Sequence, residues 1–104
     1  MKINIKATKI KLTDNIKNYI QEKIDMLEKY LGQVKALKCE VEVGPIVGRL
    51  SRAKIYRAEV NLSLPGELLR VEKTEKDIFK AVDKVKDHLA RSIKRYKEKH
   101  KNVK

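Results

Sequence analysis

The chain has 104 residues, and its 26 lysines and arginines against 14 aspartates and glutamates give a formal net charge of +12. This length predicts one domain, residues 1–104, and a hydrophobic content of 41% argues against wholesale disorder. The positive charge favours a polyanionic partner, and the lack of any apolar run near the ~20 residues of a spanning helix argues against a membrane-spanning protein.

The first part of the chain predicts a strand followed by an amphipathic helix. The opening stretch MKINIKATKIKL alternates, with Ile3, Ile5 and Ala7 on one face, as expected for a half-buried strand. Thr13 is a favourable N-cap for the next helix, and Gly32 is a favourable residue just beyond its end. Between these two residues an apolar stripe recurs at helical spacing: Ile16, Tyr19, Ile20, Ile24, Leu27, Tyr30 and Leu31.

The remainder predicts three strands and a long helix. In ALKCEVEVG four alternating residues are expected to point inward: Leu37, Cys39, Val41 and Val43. The alternating stretches AKIYRAEVNLSLP and ELLRVEK flank the turn signal Pro65-Gly66 and predict a hairpin. The final helix is expected to begin at Thr74 or Glu75. Its apolar face is formed by Ile78, Val82, Val85, Leu89, Ile93 and Tyr96.

The predicted order of elements is therefore β-α-β-β-β-α. One helix connects the first two strands, which predicts that they are parallel, and the other strands are expected to be antiparallel. Because the strands alternate, one face of the sheet should be covered and the other wet. We predict an α+β fold, a four-stranded mixed sheet with two helices packed on one face, similar to a double-stranded RNA-binding domain.

The positive charge is concentrated in three places, residues 1–13, residues 44–57 and residues 84–104, and the last helix dominates. On a helical wheel, the final helix carries a stripe of basic residues beside its apolar face: Lys84, His88, Arg91, Arg95 and Lys99. The segment 44–57 adds Arg49, Arg52 and Lys54 and contains no acidic residue. Basic residues in a last turn also complement the helix dipole. The stripe on the final helix and the segment 44–57 together nevertheless favour a surface that binds phosphate groups.

The aromatic residues and Lys23 bear on the kind of contact. The four tyrosines and the one phenylalanine fall mostly at core spacings, so base stacking is poorly supported. Contact with folded RNA through its backbone and shape fits better. Lys23 lies within the apolar stripe of the first helix, and two interpretations stay open. Its stem snorkels beside the core, or its charge is held in a groove between the two helices.

No catalytic or metal-binding constellation is predicted. Cys39 occupies an inward strand position that is typical of a core cysteine, and a single cysteine fits a cytoplasmic setting. His88 and His100 have no Cys, Asp or Glu at metal-ligand spacing on the same face. Asp83 and Asp87 are expected to moderate charge on a lysine-rich helix. We therefore expect no enzyme activity, cofactor, metal or small-molecule substrate.

Two stretches resemble the ribosome hibernation promoting factor and ribosome-associated inhibitor family, also called the sigma-54 modulation protein family. MKINIKATKIKLTDNIKNYIQEKIDMLEKYL is similar to the family's opening strand and Thr-capped helix with its Leu-Glu-x-Tyr end. EKDIFKAVDKVKDHLARSIKRYKEKHK is similar to its final helix, with Ala-x-Asp, Leu-x-Arg and Lys-x-Lys elements. The likeness covers almost the whole chain.

The resemblance implies the same β-α-β-β-β-α fold and a non-enzymatic cytoplasmic factor. Such factors bind the small (30S) ribosomal subunit in the channel for messenger and transfer RNA, contact 16S ribosomal RNA, and inhibit translation in stationary phase or stress. By position it assigns RNA contacts to Lys17, Lys23, Arg91, Arg95 and Lys97. The assignment of Arg49, Arg52 and Lys54 rests on charge alone.

Several alternatives stay open. Longer family members carry a second domain that dimerises and pairs ribosomes, so we expect either a short hibernation factor or the N-terminal domain of a long one. A general double-stranded RNA-binding module is the main alternative. The missing nucleophile–base pair argues against a small α+β hydrolase. A dimerisation module would use the wet sheet face, which is more polar than an obligate interface: Lys38, Glu40, Glu42, Arg57, Glu59 and Asn61.

Overall fold

An α+β arrangement of four strands and three helices forms the part of the chain that the structure, a computed structural model, describes: residues 1–46 and 54–100. The strands are β1 (Asn4–Ala7), β2 (Lys38–Ile46), β3 (Ile55–Leu64) and β4 (Glu67–Glu75). The helices are α1 (Asp14–Asp25), the short α2 (Glu28–Leu31) and α3 (Ile78–His100). None of the helices in these residues is long and apolar enough to cross a bilayer.

The strands form one mixed sheet in the order β1-β2-β3-β4. β1 is parallel to β2, with Ile5 opposite Val41, and the other two pairings are antiparallel. Leu64 lies opposite Glu67, so Pro65 and Gly66 make a two-residue hairpin loop, and the φ of +81° at Gly66 is one that glycine accepts readily. The predicted α+β topology and the predicted hairpin are confirmed.

The first predicted helix is interrupted near its end. Thr13 caps α1 as expected, because its hydroxyl accepts a hydrogen bond of 3.3 Å from the backbone N–H of Ile16. At Leu27 the backbone N–H bonds to the carbonyl of Ile24, one residue closer than in a regular α-helix. The prediction of one continuous helix is therefore wrong, although Leu27 and Leu31 remain buried and the apolar stripe continues across the interruption.

The last helix begins later than the sequence suggested. Thr74 and Glu75 are still paired with β3, opposite Arg57 and Tyr56, because the hairpin extends to the end of β4. Asp77 provides the cap instead, and its carboxylate accepts a hydrogen bond of 2.8 Å from the backbone N–H of Phe79. The prediction that Thr74 or Glu75 opens the helix is wrong for this reason.

The core lies between the sheet and the helices. α3 packs across β3 and β4 and against α1 and α2, so all helices lie on one face of the sheet, as predicted. The alternating residues of β2 and β3 are buried beneath them, and Leu62, Leu89 and Ile93 have no exposed surface. Leu37 is an exception to the predicted pattern, since 64% of it is exposed. It precedes the first residue of β2, so the alternation of the strand does not extend to it.

Candidate nucleic-acid interface

Among the helices, the excess of positive charge lies on α3. α3 carries eight lysines and arginines and three carboxylates. The face of the sheet opposite the helices, here called the open sheet face, carries four cations and four carboxylates. They are Lys6, Lys38, Arg57 and Arg70, and Glu40, Glu42, Glu59 and Glu72. A polyanion is therefore attracted to α3 rather than to this face.

Ion pairs hold the charges of the open sheet face together. Glu59 is only 6% exposed, yet it lies on this face because two arginines cover it. One oxygen of Glu59 lies 2.8 Å from Arg70 and 3.4 Å from Arg57. The hydrogen bond from Arg70 is the main reason that the pKa of Glu59 is lowered. Arg57 also contacts Glu42 and Glu72. This network leaves the open sheet face little unbalanced charge for RNA.

The basic stripe of α3 runs along β4, and β4 neutralises both of its ends. Lys84 forms an ion pair with Glu75, which lowers the pKa of that carboxyl. Lys99 lies 3.5 Å from Glu67. A helical wheel of α3 cannot reveal these acidic partners, because both belong to the neighbouring strand. The stripe is therefore divided, and its unneutralised part is the middle.

Arg91 and Arg95 form that middle part. Both are exposed, and neither has a carboxylate partner within residues 1–46 and 54–100. His88 lies beside them and is partly buried. Burial, followed by the charges of Lys73, Arg91 and Arg95, lowers the pKa of His88 from 6.5, so the imidazole is mainly neutral at neutral pH. The two arginines, rather than His88, provide the charge at this point.

Lys23 occupies the groove between α1 and α3. Its ammonium lies 3.8 Å from the carboxylate of Asp83 and 5.2 Å from the ring centre of Tyr19, and its side chain is 22% exposed. Asp83 also accepts a hydrogen bond of 2.6 Å from the hydroxyl of Tyr19. Both interpretations of Lys23 therefore apply, because the stem is mostly covered and the charge is held between the helices.

Three lysines surround Tyr30 where α2 meets α3. Lys97 donates a hydrogen bond of 3.0 Å to the backbone carbonyl of Tyr30. The ammonium groups of Lys29 and Lys94 each lie 5.2 Å from the centre of its ring. Lys29 and Lys94 were not predicted as site residues. Lys94 could have been predicted from the sequence, because it lies three residues before Lys97 and the two side chains are therefore neighbours on the surface of the helix.

The other predicted site residues are separate from these groups. Lys17 is exposed on α1, and Lys54 is exposed immediately before β3. Arg49 and Arg52 lie outside the described residues. The predicted set thus forms one group beside β4, containing Arg91 and Arg95, and a second group between α3 and the first two helices, containing Lys23 and Lys97.

Cys39 is poorly suited to chemistry. It is buried in β2, and burial raises the pKa of its thiol to about 11. Among the residues that the structure describes, no group of three His, Cys, Asp or Glu side chains is placed to hold a metal ion.

Comparisons with known proteins agree with this fold. The family model described as Sigma 54 modulation protein / S30EA ribosomal protein matches residues 3–101. Proteins named ribosome hibernation promotion factor are similar to the chain: the one from Staphylococcus aureus is 32% identical over 93% of this chain and 48% of its own length. The one from Lactococcus lactis is 31% identical over 93% of this chain and 50% of its own length. The chain thus spans about half the length of these relatives.

Solved structures show the same architecture. The N-terminal domain of Protein Y from Thermus thermophilus superposes with a TM-score of 0.78 at 29% identity, covering 92% of this chain and 99% of that one. A ribosomal subunit interface protein from Coxiella burnetii gives a TM-score of 0.77 at 15% identity, covering 94% of this chain and 99% of that one, and that likeness shows the fold alone.

Proposed function

The chain belongs to the Sigma 54 modulation protein / S30EA ribosomal protein family, and from that membership we propose that it is a ribosome hibernation factor or the ribosome-binding part of one. It binds the small ribosomal subunit in the cytoplasm, at the channel for messenger and transfer RNA, through phosphate groups of 16S ribosomal RNA. By occupying that channel it inhibits translation in stationary phase or stress. It acts by binding and needs no catalytic step.

One observation carries this proposal beyond the family name. On the helix layer, Arg91 and Arg95 of α3 are exposed cations without a carboxylate partner among the described residues, whereas the open sheet face carries equal numbers of cations and carboxylates. A rigid surface of this kind suits RNA whose phosphate groups are held in a fixed arrangement, as in a folded ribosomal RNA.

The relation to longer relatives is part of the proposal. Since the chain matches about half of the hibernation promotion factors, it corresponds either to a short factor or to the N-terminal domain of a long one. Residues 1–104 are proposed as a single ribosome-binding domain in both cases. Pairing of ribosomes would belong to a further domain.

The test is co-sedimentation with small subunits and inhibition of translation in vitro. The double variant Arg91→Glu/Arg95→Glu should lose both, and binding of the unchanged chain should weaken steeply with salt. The control Lys35→Glu/Lys38→Glu changes the net charge equally, at exposed residues away from α3, and should retain both activities. Inhibition that survives in the first double variant would contradict the proposal. Equal affinity for a plain RNA duplex would favour a general double-stranded RNA-binding module.

A further inference from the structure

A groove separates the edge strand β4 from α3. It is open to solvent and has a volume of about 600 Å³. The residues that line it are Glu72, Lys73, Thr74, Lys84, Asp87 and Arg91. It thus brings together side chains from two consecutive elements, the end of β4 and the middle of α3. Lys73 belongs to the strand, opposite Ala58 of β3, and Arg91 belongs to the exposed middle of α3.

Most charged groups of the groove already have partners. Asp87 forms an ion pair of 2.9 Å with Lys86. Glu72 is bound by Arg57, from the open sheet face. Lys84 is bound by Glu75, as described above. The two remaining cations are Lys73 and Arg91, and within the described part of the chain neither is paired with a carboxylate.

Two unneutralised cations that line the same groove indicate a binding site for an anion. An arginine fork and a mobile lysine ammonium together match the oxygens of a phosphate group, and the hydroxyl of Thr74 is a further donor at the same place. His88 lies close enough for the charges of Lys73, Arg91 and Arg95 to act on it. Its Nδ1 is buried and has no hydrogen-bond partner among the described residues.

We propose that the groove between β4 and α3 is a phosphate-binding site, in which Lys73 and Arg91 clamp one phosphodiester group of RNA from opposite sides beside the imidazole of His88. This inference rests on the proposed function and deepens it, because it adds a strand residue to a surface otherwise made of helices. The contact from Lys73 could not be predicted from the spacing of basic residues along α3.

The site predicts that RNA binding is linked to proton uptake. The charges that act on His88 are those of Lys73 from β4 and of Arg91 and Arg95 from α3. The groove that Lys73 and Arg91 line also contains Glu72, Lys84 and Asp87, and Lys84 is paired with Glu75. The positive charges of Lys73, Arg91 and Arg95 disfavour protonation of His88, and the negative charge of a phosphate in the groove would offset them. The pKa of His88 should therefore rise when the groove is filled. Because an ordinary histidine has a pKa of ~6.5, RNA binding should be tighter at about pH 6 than at about pH 8.

The first test uses His88. Its pKa is measured by NMR in sodium chloride, then in inorganic phosphate at the same ionic strength, and then with a short RNA duplex. Phosphate and RNA should both raise the pKa of His88. Lys73→Gln should greatly reduce the rise. An unchanged His88 in both arms would overturn the site, and a response to inorganic phosphate alone would make it a site for free anions.

The second test separates this inference from the proposed function. Lys73→Gln should weaken binding to small subunits by about tenfold and lower the dependence on salt by roughly one phosphate contact. Lys76→Gln removes the same charge from an exposed residue that does not line the groove, and should bind as the unchanged chain does. If Lys73→Gln also binds normally while Arg91→Glu/Arg95→Glu does not, the groove is refuted and the proposed function stands. Normal binding by all three variants would refute both.

Discussion

The hydroxyl of Tyr19 on α1 donates a hydrogen bond of 2.6 Å to the carboxylate of Asp83 on α3. This bond is the main reason that the pKa of Tyr19 is raised to about 12. The same carboxylate lies 3.8 Å from the ammonium of Lys23. The pair therefore connects the two long helices and places a candidate RNA-binding lysine between them.

Removing the hydroxyl should loosen this connection. In Tyr19→Phe the ring keeps its edge-on contact with Phe79, at 4.9 Å between ring centres, while the hydrogen bond is lost. We expect the free energy of unfolding to fall by about 1 kcal/mol, the usual contribution of a partly exposed hydrogen bond. Urea denaturation measures this. A variant as stable as the unchanged chain would show that the bond contributes nothing to helix packing.

Glu59→Gln should destabilise the domain and change its response to acid. The folded pKa of Glu59 is lowered, so the unfolded state binds the proton more readily. The stability from this group is present above the ordinary pKa of 4.5 and is lost as pH falls through the folded pKa. At neutral pH we expect a loss of about 2 kcal/mol, because a buried charge-assisted hydrogen bond is weakened.

The measurement for Glu59 is urea denaturation at a series of pH values from neutral to acid. The curve of stability against pH should be flatter for Glu59→Gln than for the unchanged chain below pH 4.5. Glu98→Gln, at an exposed residue of α3, is the control for removing one negative charge. Parallel curves for the two glutamine variants would contradict the role of Glu59.

His88 should reduce stability at mildly acidic pH in the absence of RNA. Its folded pKa is lowered from 6.5, so protons bind preferentially to the unfolded state as pH falls through that value. The free energy of unfolding should therefore decrease from pH 8 to pH 5, about the range in which an ordinary histidine titrates. His88→Gln should remove most of this dependence. Thermal unfolding at several pH values checks it, and an unaltered slope in the variant would contradict it.

Gly44→Ala should weaken the pairing of β1 with β2. A Cβ at this position would lie 2.3 Å from the backbone carbonyl oxygen of Thr8, which cannot move away as a flexible side chain can. The backbone N–H of Thr8 bonds to the carbonyl of Val43, so a shift there strains the sheet edge. We expect a loss of about 1–3 kcal/mol, typical of overpacking.

The control for Gly44→Ala is Gly66→Asn in the hairpin loop. Asparagine tolerates positive φ better than most residues, and nothing rigid approaches a Cβ there, since the nearest atom belongs to the side chain of His100 at 3.9 Å. The asparagine variant should be the more stable of the two. Equal losses in chemical denaturation would argue against a steric origin for the effect at Gly44.

The sequence predicted the fold well because alternation and helical periodicity are local signals. It placed the parallel first pair, the hairpin at Pro65-Gly66 and the apolar face of α3 correctly. The helix boundaries were predicted less well. Asp77 caps α3 rather than Thr74 or Glu75, because pairing with β3 extends the strand to Glu75, and that pairing depends on a residue far away in the chain.

The candidate site was predicted only in part, for a related reason. The stripe on α3 could be read from one helix, but the partners that neutralise Lys84 and Lys99 are on β4. The same strand contributes Lys73, which has no periodic relation to α3. Electrostatic neighbours from different elements become visible only when the sheet and helices are packed together.

The balance of charge on the open sheet face has a consequence for the approach to a polyanion. A body with its positive charge on one layer and a neutral opposite side has an electric dipole. In the field of a polyanion it experiences a torque as well as an attraction, so it rotates before contact and arrives with its helices leading. The glutamates of the sheet would thus raise the fraction of encounters with a polyanion that are correctly oriented.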